Sequence, residues 1–137
     1  MKIRDVQKKD KKALEGLYFQ LTGKEIEVDP TVLQEDTSCF CRVMEKDGEV
    51  IGTASLIVYR IPVKGLIGRV EDVVIDESAR GGGLGRMIMD DLLNLAQEKG
   101  LAYLNLTSNP KRIPARRLYE SLGFEIYDTG VFWKKMD

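Results

Sequence analysis

The residues most able to do chemistry are the six from Arg80 to Gly85, Arg80-Gly81-Gly82-Gly83-Leu84-Gly85. They follow the β-branched run Val73-Val74-Ile75 and precede a stretch with helical apolar spacing. A strand, a glycine turn and a helix start together make an anion site. Glycines admit close backbone approach, the first-turn N–H groups lack intrahelical partners, and the helix dipole favours negative charge. Phosphate is the natural guest, and Arg80 and Arg86 flank the turn with charge-assisted donors. The plainer alternative is a flexible connection. A dinucleotide-binding fold would place its glycines after the first strand, and a phosphate loop of the kinase type needs Gly-Lys followed by Ser or Thr. Neither pattern occurs here.

The rest of the composition narrows the chemistry. Histidine is absent, which removes Ser-His and Cys-His catalysis and the commonest metal ligand. An acid or base must therefore be Asp, Glu, Tyr, Lys or Cys. Cys39 and Cys41 lie two apart on one face of a strand. They are either a redox pair or half a metal site, or else small buried hydrophobes; with no further Cys or His to complete a site, the last reading is favoured and no metal is expected.

With 21 basic and 22 acidic residues the net charge is −1, so the footprint of a general nucleic-acid binder is missing. No apolar run approaches the roughly 20 residues that span a bilayer, and the start MKIRDVQKKDKK has no apolar signal core. We expect a cytoplasmic protein with no membrane and no nucleic-acid partner. The length of 137 residues suits a single domain over 1–137.

These residues need elements to position them. Residues 2–6 read as a strand, and Leu14, Leu17, Tyr18 and Leu21 give residues 10–22 helical spacing. Asp29-Pro30 starts a short helix over 31–35, with Asp29 as cap. Strands over 39–44 and 50–59 flank Lys46-Asp47-Gly48-Glu49, a hairpin signal, and a third runs over 66–75. A helix over 83–99 stops at Gly100, a strand covers 101–107, and Ala115, Leu118, Tyr119 and Leu122 stripe a last helix. Strands over 124–127 and 131–135 complete the order. The expectation is an α/β (α+β) fold with a mixed, mostly antiparallel sheet of about seven strands and four helices.

Two strings resemble a known family. Val73-Val74-Ile75-Asp76 leading into Arg80-Gly81-Gly82-Gly83-Leu84-Gly85-Arg86 is similar to the acetyl-CoA signature of the GNAT acetyltransferases, with Arg80, Gly83 and Gly85 in its three defining places. Arg117-Leu118-Tyr119-Glu120-Ser121-Leu122-Gly123-Phe124 resembles the family's closing helix and strand.

The resemblance implies a GNAT fold splayed between its fourth and fifth strands, with acetyl-CoA as cosubstrate. Val73, Val74 and Ile75 would pair with the pantetheine arm, and Gly81, Gly82, Gly83, Leu84, Gly85 and Arg86 would hold the pyrophosphate. A primary amine of a small molecule or peptide would attack the thioester directly, with Tyr119 protonating the leaving sulfur; taken alone, Tyr119 would read as a packed aromatic. Glu71 and Asp72 are candidate bases at the mouth of the cleft, on opposite faces by strand alternation, and Glu71 is favoured; a water chain is the alternative. Many members carry Asn where this chain has Arg112, and Asn109 lies three residues earlier, so both join the candidate cofactor contacts. A homodimer through the terminal strands containing Phe132 and Trp133 is a family expectation. The competing reading is an acetyl-CoA-binding sensor or interaction module without useful catalysis.

Overall fold

A computed structural model describes residues 1–137. They group into two compact units, Met1–Thr107 and Ser108–Asp137.

The first unit runs β1 (Lys2–Asp5), a 3-10 turn (Lys8–Asp10), α1 (Lys11–Thr22), α2 (Pro30–Glu35), β2 (Cys39–Lys46), β3 (Glu49–Ile61), β4 (Gly65–Ile75), a second 3-10 turn (Glu77–Ala79), α3 (Leu84–Glu98) and β5 (Tyr103–Asn105). Local chemistry explains several boundaries. Asp29 accepts hydrogen bonds from the N–H groups of Thr31 and Val32 with Pro30 in the first turn, which starts α2 as expected. Asp47 and Gly48 both have positive φ, 52° and 81°, the backbone of a two-residue hairpin turn whose twist matches the flanking strands. Gly23 and Gly100 end α1 and α3 in the left-handed conformation that glycine adopts without steric cost.

The sheet order is β1-β2-β3-β4-β5, antiparallel except for the parallel β4–β5 pair. Alternate residues of β2 show what covers each face. Cys41 and Val43 are buried with Val6, Leu14 and Val28 beneath α1 and α2. Arg42 points the other way and pairs with Asp91 of α3, its Nε donating to Oδ2 at 2.9 Å. Asp91 is thus an anchor between helix and sheet. Ile88, Met89, Leu92 and Ala96 supply that helix's buried apolar face. No helix is long and apolar enough to cross a membrane.

The second unit holds α4 (Ile113–Ser121), with Pro114 in its first turn, where a missing N–H costs nothing. The four expected helices are therefore present, but the sheet has five strands rather than about seven. Residues 124–127 and 131–135 have strand-like composition but are not strands of the sheet. A strand exists only where its backbone groups find a ladder partner. The intervening bend closes locally instead, Thr129 N–H donating to the Tyr127 carbonyl at 2.9 Å.

Candidate functional site

The central feature of the first unit is the place where β4 and β5 separate. They pair at Ile67 with Tyr103, Gly68 with Leu104 and Arg69 with Asn105, and there the ladder stops. On its other edge β4 continues to pair with β3, through Val74 opposite Thr53 and Ile75 opposite Gly52. From Val70 to Ile75 the strand therefore has one edge without a β5 partner. Such an edge offers backbone N–H and C=O groups to an extended ligand. Val73, Val74 and Ile75 lie on this stretch.

A bulge lies at the opening of the splay. Asp72 and Val73 together oppose the single residue Ala54, and Asp72 adopts φ 53°, left-handed and uncommon outside glycine. This breaks the alternation that sequence reasoning assigned to Glu71 and Asp72. Glu71 opposes Ser55, which opposes Cys41 on the α1 side of the sheet. Asp72 lies near that side too. Burial raises the pKa values of Tyr18 and Cys39, the latter to about 11, and the charge of Asp72 adds to both shifts. Glu71 is engaged by the guanidinium of Arg69. Asp72 itself titrates above the ordinary carboxylate range, because burial and then the neighbouring Glu71 charge disfavour its ionised form. Next to them Asn105 donates to the Tyr59 hydroxyl at 2.8 Å, so the last rung of β5 is tied to β3 by side chains as well.

Beyond β4 the chain makes one 3-10 turn over Glu77–Ala79, capped by Asp76, whose Oδ1 accepts from Ser78 N–H at 2.9 Å and Ser78 Oγ at 2.7 Å. Gln20 of α1 clamps this turn: its Nε2 donates to Asp76 Oδ2 at 3.2 Å, and its Oε1 accepts from Glu77 N–H at 3.0 Å. Sequence reasoning missed Gln20; an Asp-x-Ser turn is a local signal, but a clamp 56 residues away is not. Arg80 follows in extended conformation and returns its Nε to the Ile75 carbonyl. Gly81 and Gly83 have φ values of 90° and 75°. Met87 N–H donates to Gly83 C=O, the first bond of α3, so the donors of Leu84 and Gly85 belong to the orphan first turn. Gly81 to Arg86 thus form a turn and helix start able to receive an anion.

In the second unit, Asn109 builds a turn: its side-chain oxygen accepts from Lys111 N–H at 2.9 Å, and its carbonyl accepts from Arg112 N–H at 3.0 Å. Arg112 stands at the N-cap of α4. Tyr119 is buried and meets Phe124 edge-on, with ring centroids 6.1 Å apart. Burial raises the Tyr119 pKa, and the Arg112 charge acts against that rise, so the phenol carries its proton at neutral pH.

A family model described as the acetyltransferase (GNAT) family matches residues 4–124. Among curated proteins, glucosamine 6-phosphate N-acetyltransferase of Trypanosoma brucei brucei is 36% identical over 94 residues, covering 67% of this chain and 60% of that protein. Mycothiol acetyltransferase of Thermomonospora curvata is 39% identical over 90 residues, 66% of this chain and 29% of that one. The matches therefore span less than two thirds of these relatives. Among solved structures, a Trypanosoma brucei acetyltransferase superposes with a TM-score of 0.82 at 26% identity, covering 98% of this chain and 99% of the other.

Proposed function

Because the chain belongs to the acetyltransferase (GNAT) family, we propose that it moves an acetyl group from acetyl-CoA to the primary amine of a small molecule or peptide. The observation that carries this reading is the unpaired edge of β4, which leads from the splay at Arg69 and Asn105 to the glycine turn and the start of α3. An extended pantetheine arm pairs with the backbone of Val73, Val74 and Ile75. The pyrophosphate takes the N–H groups from Gly81 to Arg86, with Arg80, Asn109 and Arg112 as further cofactor contacts. Residues 1–137 act as a single catalytic domain.

In the reaction the amine nitrogen attacks the thioester carbonyl and the tetrahedral intermediate collapses to amide and thiolate. Tyr119 gives the sulfur a proton, and the acids of β4, Glu71 and Asp72, serve the amine. The name of the first relative supports glucosamine 6-phosphate, and after it other amino sugars, as the first acceptors to try. The nearly full exposure of Phe132 and Trp133, 98% and 88%, supports a homodimer, which sedimentation velocity over a concentration series would reveal as a shift in mass.

The test is thiol release from acetyl-CoA with a panel of amines: glucosamine 6-phosphate, other amino sugars, amino acids, polyamines and lysine peptides. Transfer to one class establishes the activity. Acetyl-CoA binding in calorimetry without transfer to any amine would instead mark a sensor.

A further inference from the structure

The geometry points to Asp72, rather than Glu71, as the catalytic base that takes the proton from the acceptor nitrogen, with Glu71 held by Arg69 as a positioning group. This deepens the acetyl-transfer reading and rests on it.

Position is the first argument. Asp72 comes three residues after Arg69, whose pairing with Asn105 is the last rung between β4 and β5, so it stands where the splay opens. The bulge against Ala54 turns its backbone to φ 53°. A left-handed residue costs about 1–2 kcal/mol for most side chains and less for Asp or Asn, which tolerate this region. The bulge therefore takes one particular residue out of the strand's alternation at the start of the free edge. Val73 to Ile75, the proposed pantetheine contacts, follow it directly.

The second argument is availability. Glu71 is engaged by Arg69, and a carboxylate clamped by a guanidinium orients a ligand better than it exchanges protons. No ion pair or side-chain hydrogen bond holds Asp72, and it keeps an exposed side. The titratable groups around it are Glu71 on its own strand, Tyr18 from α1, and Cys39 from β2, with Cys41 beside Tyr18. Tyr18 and Cys39 are neutral at physiological pH because burial holds their protons on, and Arg69, the cation of the same strand, is taken by Glu71. A carboxylate among neutral and anionic neighbours has a higher proton affinity than one beside a cation.

The proton balance is complete. The acceptor enters as the free amine, and its nitrogen lone pair forms the C–N bond while the carbonyl π pair moves to oxygen. The nitrogen, now cationic and strongly acidic, gives one proton to Asp72. The oxygen pair returns, the C–S bond breaks, and the sulfur leaves with its electron pair and takes a proton from Tyr119. Asp72 then gives its proton to solvent and the phenolate takes one from solvent, so amine and acetyl-CoA become amide and coenzyme A.

The experiment compares wild type, Asp72→Asn and Glu71→Gln with acetyl-CoA and the best amine of the panel, measuring kcat and KM across pH, with acetyl-CoA Kd by calorimetry as the check on folding. Asn suits the left-handed backbone, so the Asp72→Asn protein should keep its acetyl-CoA affinity. Its kcat should fall about 10²-fold or more, the magnitude of general base catalysis, and the fall in wild-type kcat toward acid should flatten. Glu71→Gln should raise the amine KM and leave most of kcat. An active wild type whose Asp72→Asn variant keeps kcat and its pH profile, or whose Glu71→Gln variant alone loses kcat, overturns this assignment. A wild type that acetylates no amine overturns the underlying reading as well.

Discussion

Arg80 folds back on the strand it leaves, its Nε donating to the Ile75 carbonyl at 3.0 Å. The end of β4 and the start of the glycine turn are tied together by this bond, so the proposed pantetheine and pyrophosphate contacts share one rigid corner. A hydrogen bond of this kind contributes about 1 kcal/mol net. Arg80→Ala should weaken acetyl-CoA binding by about fivefold or more while the thermal midpoint hardly moves. Unchanged affinity in calorimetry would remove Arg80 from the cofactor site.

The three consecutive glycines of the turn are not equivalent. Gly81 and Gly83 require positive φ, although a Cβ at either would meet nothing within 4 Å. Gly82 has no such backbone requirement, and a Cβ there would meet only ordinary contacts at 4.0 Å. Gly83→Ala and Gly81→Ala should therefore each cost about 1–2 kcal/mol of left-handed strain, seen as distortion of the turn and roughly tenfold weaker acetyl-CoA binding. Gly82→Ala should bind within about twofold of wild type, since no strain of this kind arises. Equal losses at Gly82 and Gly83 would show that crowding by the ligand, not backbone conformation, selects glycine.

What could be read from the sequence was what is local. Asp29 with Pro30, Asp47 with Gly48, and the run from Arg80 to Gly85 each encode their geometry within a few residues, and the structure has the cap, the hairpin turn and the helix start they imply. The pairings that lock the site depend on register between distant segments. Arg42 with Asp91, Gln20 with Asp76, and the bulge that sets Asp72 and Val73 against Ala54 leave no local trace. The two expected terminal strands are absent for a related reason: Val131, Phe132 and Trp133 have strand composition, but composition supplies no ladder partner for their backbones.

Tyr119 offers a test that separates chemistry from packing. Its ring is buried against Phe124, while the reading above uses its hydroxyl. Tyr119→Phe keeps the ring and removes only that oxygen. Turnover should fall about 10²-fold, the scale of a lost general acid, with unchanged thermal midpoint and acetyl-CoA affinity. Unchanged kcat, once single-turnover kinetics show chemistry to be rate-limiting, would leave Tyr119 as a packing residue.

Acid should unfold the first unit through Asp10. This carboxylate is 2% exposed and accepts from Arg4 Nη1 at 2.9 Å, Arg4 Nη2 at 3.0 Å and Gln7 N–H at 2.7 Å. Burial alone would raise its pKa, but the hydrogen bonds from Arg4 and Gln7 together outweigh it, and the net shift is downward from 3.8. A carboxylate whose folded pKa lies below its unfolded one stabilises the fold fully above the unfolded pKa, and that contribution is lost as pH falls through the folded pKa. The thermal midpoint should therefore hold steady from neutral pH to about pH 5 and fall below about pH 4, the ordinary carboxylate range. Asp10→Asn leaves Arg4 only its longer contact with Glu45, at 3.4 Å, and should cost about 3 kcal/mol at pH 7, the low end for a broken buried ion pair. Its stability should also depend less on pH below 4. A variant as stable as wild type at neutral pH, with the same acid profile, would show that Arg4 and Asp10 do not hold β1 to the turn before α1.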